Sequence, residues 1–185
     1  MSAFVFSRMT KEQLARKIYD TAHLTGEFLL RSGTISNEYF DKYQFESDPA
    51  LLREIAEHAR ALVPDGTEYL AGLELGGVSI AALLSQVTGI PAVFVRKKAK
   101  EYGTCKLAEG PDIRGKRVLI IEDVVTSGGQ VVMSGEDLRA LGADITHVVC
   151  IIDREQKGRA TLAEAGYELL ALFTMSELKA SVSQS

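Results

Sequence analysis

The sequence is poor in cysteine: Cys105 and Cys150 are the only two. They form no CxxC pair and no zinc-ligand spacing, which argues against a disulfide framework or a structural zinc site and predicts a reduced, cytoplasmic setting. Positive charge is not in excess either. Lys and Arg total 21 against 25 Asp and Glu, a net charge of −4. A protein held to nucleic acid by bulk charge is thereby excluded, and any anionic ligand has to be met by local cations or backbone amides. The apolar run Val118 to Ile121 is far shorter than the ~20 residues that cross a bilayer, so no membrane partner is expected. The opening MSAFVFSRMTKEQ lacks the long apolar stretch of a secretion signal. There is no internal repeat and no low-complexity block.

What is present is the composition of a soluble globular domain. Hydrophobic residues make up 46% and charged residues 25% of 185 residues, enough for one domain to bury a core without staples. Thr10 and Gln13 have capping-box spacing, and Leu14, Ile18 and Ala22 then recur on one helical face. Asp48-Pro49 opens a second helix, with Pro at its first position. From there the pattern alternates. Strands are predicted at Tyr69 to Leu73, Ala92 to Val95, Arg117 to Ile121, Ile145 to Ile152 and Glu168 to Phe173. Helices are predicted at Val78 to Thr88, Gly128 to Leu141 and Gln156 to Ala165, with a short terminal helix. Lys97 to Arg114 reads as a long loop. Alternation of this kind predicts an α/β fold, a mainly parallel sheet flanked by helices, with ligands at the carboxyl ends of its strands.

The segment that carries chemistry is VLIIEDVVTSGG, Val118 to Gly129. A buried strand runs into two acids, then a small-residue turn, then a helix. Unpartnered amides at the helix start suit a phosphate, Gly128 and Gly129 allow close approach, and Thr126 and Ser127 add hydroxyls. Glu122 and Asp123 would repel a bare phosphate, so the ligand is expected to carry hydroxyls as well, as a ribose does. The GK[ST] ending of a Walker loop is absent. The blander alternative, a strand end followed by a capped helix, is outweighed by the four features occurring together.

This segment resembles the phosphoribosyl pyrophosphate (PRPP) motif of the type I phosphoribosyltransferases. The resemblance implies that Glu122 and Asp123 hold the ribose hydroxyls and that Val124, Val125, Thr126, Ser127, Gly128, Gly129 and Gln130 surround the 5-phosphate. Three further segments are similar to orotate phosphoribosyltransferases. FVRKKAKEYG, Phe94 to Gly103, places four cations within five residues after a strand; by resemblance it is a catalytic loop in which Arg96, Lys97 and Lys100 contact pyrophosphate and Tyr102 stands where the family often has His. Read without the resemblance, the run would be a solvated charged face. FLLRSGTISNEYFD, Phe28 to Asp41, resembles an N-terminal hood in which Tyr39 and Phe40 meet orotate and Arg31 takes the place of a frequent Lys. Its aromatics would otherwise be ordinary core. IIDRE, Ile151 to Glu155, puts Arg154 beyond a strand end, where the alternative is a surface ion pair with Asp153 or Glu155. The resemblance makes Arg154, with Thr126, a ligand of orotate. Gly76 and Gly77 in LELGGV resemble the pyrophosphate loop, with Leu75 where some members have Lys.

The resemblance implies a phosphoribosyltransferase that joins orotate to PRPP, with a hood at about residues 1–47 and a PRPP-binding core at about 48–185. It implies Lys100, Arg96 and Asp123 as catalytic residues and Mg²⁺ carried by PRPP and water near Glu122 and Asp123, without a direct protein ligand. It also implies a homodimer that shares the catalytic loop. His23, His58 and His147 are expected to be structural, and no role is expected for Cys105. A phosphoribosyltransferase for another base should lack the RKxxK loop and the strand-end Arg. A PRPP-sensing regulator would need a nucleic-acid surface that neither the charge nor the motifs supply.

Overall fold

The computed structural model describes residues 9–30, 33–100, 103 and 106–183. Helix α1 spans Lys11–Ala22, and its capping box is formed: Gln13 N–H donates to Thr10 Oγ1 at 3.1 Å and Thr10 N–H to Gln13 Oε1 at 2.9 Å. An antiparallel hairpin follows, β1 (His23–Leu29) and β2 (Ile35–Phe40). Short helix α2 (Lys42–Glu46) is capped by Asp41, and α3 (Pro49–Ala59) by Asp48, whose carboxylate accepts from the amides of Ala50 and Leu51.

The rest is the predicted alternation: β3 (Tyr69–Leu73), α4 (Gly76–Thr88), β4 (Ala92–Val95), β5 (Ala108–Glu109), β6 (Val118–Val125), α5 (Gly129–Ala140), β7 (His147–Asp153), α6 (Gly158–Glu164), β8 (Glu168–Thr174) and α7 (Met175–Val182). The six strands lie in the order β5-β4-β3-β6-β7-β8. All neighbours are parallel except β4 and β5. One face is covered by α1, α3, α4 and α7, whose Leu14, Ile18, Leu51, Ile55, Leu84 and Leu178 share one apolar cluster. The other is covered by α5 and α6 through Val131, Leu138 and Leu162. Each such side chain contributes roughly 1.5–3 kcal/mol relative to exposure. From β3 the chain turns outward to β4, then crosses back to β6 on the other side. The crevice beyond the carboxyl ends of β3 and β6 is therefore the switch point of the sheet.

Three differences from the sequence-based expectation matter. β6 does not end at Ile121 but runs through both acids, because Glu122, Val124 and Val125 pair with Cys150, Ile152 and Asp153 of β7; ladder bonds are made by the backbone and tolerate charged side chains. α4 begins at Gly76 rather than Val78. A side chain at Gly77 would strike the Ile121 carbonyl, so these glycines are there for close packing on β6. The predicted loop contains β5, a two-residue strand that returns along β4.

Candidate active site

The phosphate loop lies at the switch point. Gly158 N–H donates to the Thr126 carbonyl at 3.0 Å and Arg154 N–H to the Val125 carbonyl at 2.9 Å, which pins the loop to the segment after β7. Gly128 has φ +78°, and a side chain there would meet the Gly158 carbonyl at 3.0 Å. Thr126 and Ser127 are exposed. The first-turn amides of α5 have no intrahelical partner, and no side chain caps the helix. Val124 and Val125 stand differently from the others. They belong to the strand ladder and Val125 is buried. The Gln130 side chain lies along its own helix, donating to Ser134 Oγ at 3.4 Å.

The acid pair is more enclosed than the sequence suggested. Asp123 is 0% exposed. Lys42 Nζ donates to its Oδ2 from α2, and the Val124 amide donates to its Oδ1 at 2.5 Å. Glu122 Oε1 accepts from the Asp123 amide at 3.1 Å. Burial, then hydrogen bonding to and the charge of Asp123, push the Glu122 carboxyl well above the carboxylate range. Burial also pushes Asp123 upward, but hydrogen bonds from Glu122 and Lys42 outweigh it and hold Asp123 below that range. Within the pair, Glu122 is thus the carboxyl that takes up a proton more readily and Asp123 the one that keeps its charge more readily. Glu46, one turn beyond Lys42, joins the group. Burial and the nearby Asp123 push its carboxyl up to about 8, and its buried Oε1 has no hydrogen-bond partner among the described residues. A side chain at Gly76 would collide with both carboxylates. Sequence reasoning missed Lys42 and Glu46. The only signal was the acid pair's need for a cation, and that cation stands 81 residues away.

On the hood side, a cleft of about 230 Å³ is lined by Tyr39, Phe40 and Arg154, with Tyr19, His23, Glu38 and Lys179 among its other walls. The Arg154 guanidinium makes no hydrogen bond or ion pair among the described residues. Its suspected surface partners are engaged elsewhere: Asp153 with Arg159 at 3.1 Å, and Glu155 with the Ser176 amide at 2.7 Å. Tyr39 is 45% exposed at the cleft, whereas Phe40 packs between Tyr19 and Phe45. His58 bonds to the Met9 carbonyl 49 residues away at 2.9 Å and His147 to the neighbouring Thr146 hydroxyl at 2.8 Å. His23 instead lines the cleft, stacked on Tyr19 and bonded to Glu38 at 2.8 Å.

At the charged loop, the Arg96 amide donates to the Leu107 carbonyl at 3.0 Å, and its buried Nε lacks a partner among the described residues. Lys97 is exposed, while Lys100 Nζ lies 2.6 Å from Glu109 Oε1 on β5. Arg31, Tyr102 and Cys105 lie outside the described residues. Beyond β3, Leu75 is 66% exposed and Gly76 and Gly77 are buried, with a cis peptide between Glu74 and Leu75. A glycine-containing loop, a buried acid pair, a cationic segment and an arginine whose guanidinium has no partner among the described residues thus lie at or just beyond the carboxyl ends of the neighbouring strands β4, β3, β6 and β7.

Comparison with known proteins agrees with this chemistry. Residues 43–165 match the family described as the phosphoribosyl transferase domain. The chain is 55% identical over 168 residues to an orotate phosphoribosyltransferase of a Nocardioides species, covering 91% of this chain and 94% of that protein. It is 42% identical over 153 residues to one of Methanocella arvoryzae, covering 83% and 87%. Among solved structures it superposes on the Mycobacterium tuberculosis orotate phosphoribosyltransferase with TM-score 0.83 at 25% identity, covering 91% of this chain and 98% of that one. A phosphoribosyltransferase from Corynebacterium diphtheriae gives TM-score 0.81 at 28% identity, with coverage of 92% and 99%. The chain belongs to the phosphoribosyl transferase family and, within it, to the orotate phosphoribosyltransferases.

Proposed function

We propose that the chain performs its family's reaction, moving the ribose 5-phosphate group of PRPP onto orotate to give orotidine 5-monophosphate and pyrophosphate, a step of pyrimidine nucleotide synthesis. Arg154 carries the reading. A guanidinium with no partner among the described residues, in a cleft beside a phosphate loop, fits a planar, carboxylate-bearing base better than a neutral one. Tyr39 and Phe40 supply the apolar walls, and Thr126 a hydroxyl from the phosphate side.

In this mechanism the bond from the anomeric carbon to pyrophosphate breaks as the bond to the base nitrogen forms. Positive charge develops on the ribose ring and negative charge on the leaving group. Thr126, Ser127, Gly128, Gly129 and Gln130 hold the 5-phosphate. Glu122 and Asp123 orient the ribose, and the charge on Asp123 faces the developing cation. Gly76 and Gly77 present amides to the pyrophosphate. Arg96, Lys97 and Lys100 offset its growing charge, which requires Lys100 to leave Glu109. Arg31 and Tyr102 belong to the same PRPP-binding reading.

Among the described residues no three carboxylate, His or Cys side chains form a metal cage. In this reading Mg²⁺ would come with PRPP, and Glu122 and Asp123 would be the protein carboxylates nearest to it. When bound, Mg²⁺ neutralises pyrophosphate charge. The reading includes residues 1–47 as a hood over a core of residues 48–185, a homodimer that shares the catalytic loop, and a cytoplasmic location. No helix among the described residues is long and apolar enough to cross a membrane.

The test is product identification. Mass spectrometry of a reaction with PRPP, Mg²⁺ and orotate should find orotidine 5-monophosphate and pyrophosphate in equal amounts. Pyrophosphate released without the nucleotide would refute transfer to the base.

A further inference from the structure

Lys42 is absorbed by none of the motifs above, yet it pairs with one of the two acids of the motif. Its ammonium reaches the fully buried Asp123. The helix that presents it is only five residues long, α2, and is fixed at two points. Asp41 caps it, accepting from the Tyr43 amide at 3.1 Å, and Phe45 is completely buried. Lys42 and Glu46 are four residues apart and lie on one face of this helix. The Glu46 Oε1 that lacks a partner is aimed at the space beside Gly76 where the Asp123 carboxylate lies. Of the three acids here, Asp123 is the one paired with the Lys42 ammonium, while the charges of Glu122 and Glu46 act on it from farther away. Without a cation, Asp123 would be a buried carboxylate facing two other acids, and it would either take a proton or turn away.

We propose that Lys42 is a positioning residue for the ribose-binding acid, fixing the orientation from which the Asp123 side chain accepts a PRPP hydroxyl. The inference rests on the reading that the crevice binds PRPP, but not on which base is used. It gives the hood segment a second role. Tyr39 and Phe40 wall the base cleft, and two residues later the same segment sets the ribose side. Because Lys42 acts through Asp123, its removal should weaken PRPP and leave orotate untouched.

The experiment is a double-mutant cycle read by calorimetric PRPP binding in Mg²⁺, with Lys42→Met, Asp123→Asn and the double variant, each checked by thermal melting. Lys42→Met is expected to weaken PRPP at least about tenfold, as loss of a buried charge partner does. In the Asp123→Asn background the same change should move PRPP affinity by less than about twofold, the signature of action through a shared partner. Lys42→Arg, which restores the charge, should recover most of the affinity, and the Michaelis constant for orotate should stay at the parent value. Additive losses, or a PRPP affinity unchanged in folded Lys42→Met, would overturn the proposal. If Lys42→Met does not fold, Lys42→Gln is held to the same thresholds. PRPP binding by a parent that fails to turn over orotate would refute the proposed function, while the cycle would still decide the role of Lys42.

Discussion

The Arg154 amide donates to the Val125 carbonyl at 2.9 Å. Through this one bond the residue assigned to the base is fixed to the strand that ends in the phosphate loop. The proposed base cleft and phosphate loop thus adjoin at the ends of the paired strands β7 and β6, so the sheet rather than a flexible connection sets their spacing.

Replacing Arg154 by Ala leaves that backbone bond intact and removes only the guanidinium. The Michaelis constant for orotate is expected to rise at least about tenfold, the worth of a charge-assisted pair, with the PRPP constant near the parent value. Lys at this position should recover little, because an ammonium lacks the planar fork. Steady-state kinetics in both substrates check this; an unmoved orotate constant removes Arg154 from the base site.

Gly76→Ala drives a methyl group into the carboxylates of Asp123 and Glu46. Overpacking of this kind costs about 1–3 kcal/mol, and here a displaced group is the acid proposed to hold the ribose. Lower thermal stability together with lost PRPP binding is expected. A variant of parental stability and affinity would show that Asp123 does not need its observed place.

Lys100→Ala should reduce turnover strongly with a modest loss of PRPP affinity. Lys100 is tied to Glu109 in the free chain and is assigned to pyrophosphate only during the reaction. Single-turnover kinetics separate the two effects, and a turnover within about twofold of the parent contradicts a transition-state role.

Glu46 makes stability depend on pH. Its carboxyl is pushed up to about 8 in the fold, from an ordinary value of 4.5, by burial and Asp123. Between those values the folded chain holds a proton that the unfolded chain has lost. Stability therefore falls as pH rises through this window, and the loss is complete above the folded value. Glu46→Gln should be more heat-resistant than the parent at pH 9 and similar to it at pH 4. Parallel melting curves at both pH values would show that Glu46 is not so perturbed.

Much of this was legible in the sequence because the core elements announce themselves. Leu14, Ile18 and Ala22 repeat at helical spacing, Val148 to Ile152 in β7 is an unbroken apolar run, and Gly142 and Gly166 mark helix ends. The hairpin β1/β2 was not legible. Its residues are exposed or half-buried on both faces, so no alternation marks it. The continuation of β6 through Glu122 and Asp123 was hidden for the opposite reason: the charges look like a strand end, but the ladder to β7 continues beneath them. The phosphate loop could be read as a contiguous motif. Lys42 could not, since its partnership with Asp123 exists only after α2 has docked on the core.

The most direct measurement is an ultraviolet assay of the purified protein with PRPP and Mg²⁺, offering orotate, uracil, adenine, hypoxanthine and xanthine one at a time. The account predicts loss of orotate absorbance that requires both PRPP and Mg²⁺, and no turnover of the other bases. Turnover of a different base, with orotate untouched, would contradict it.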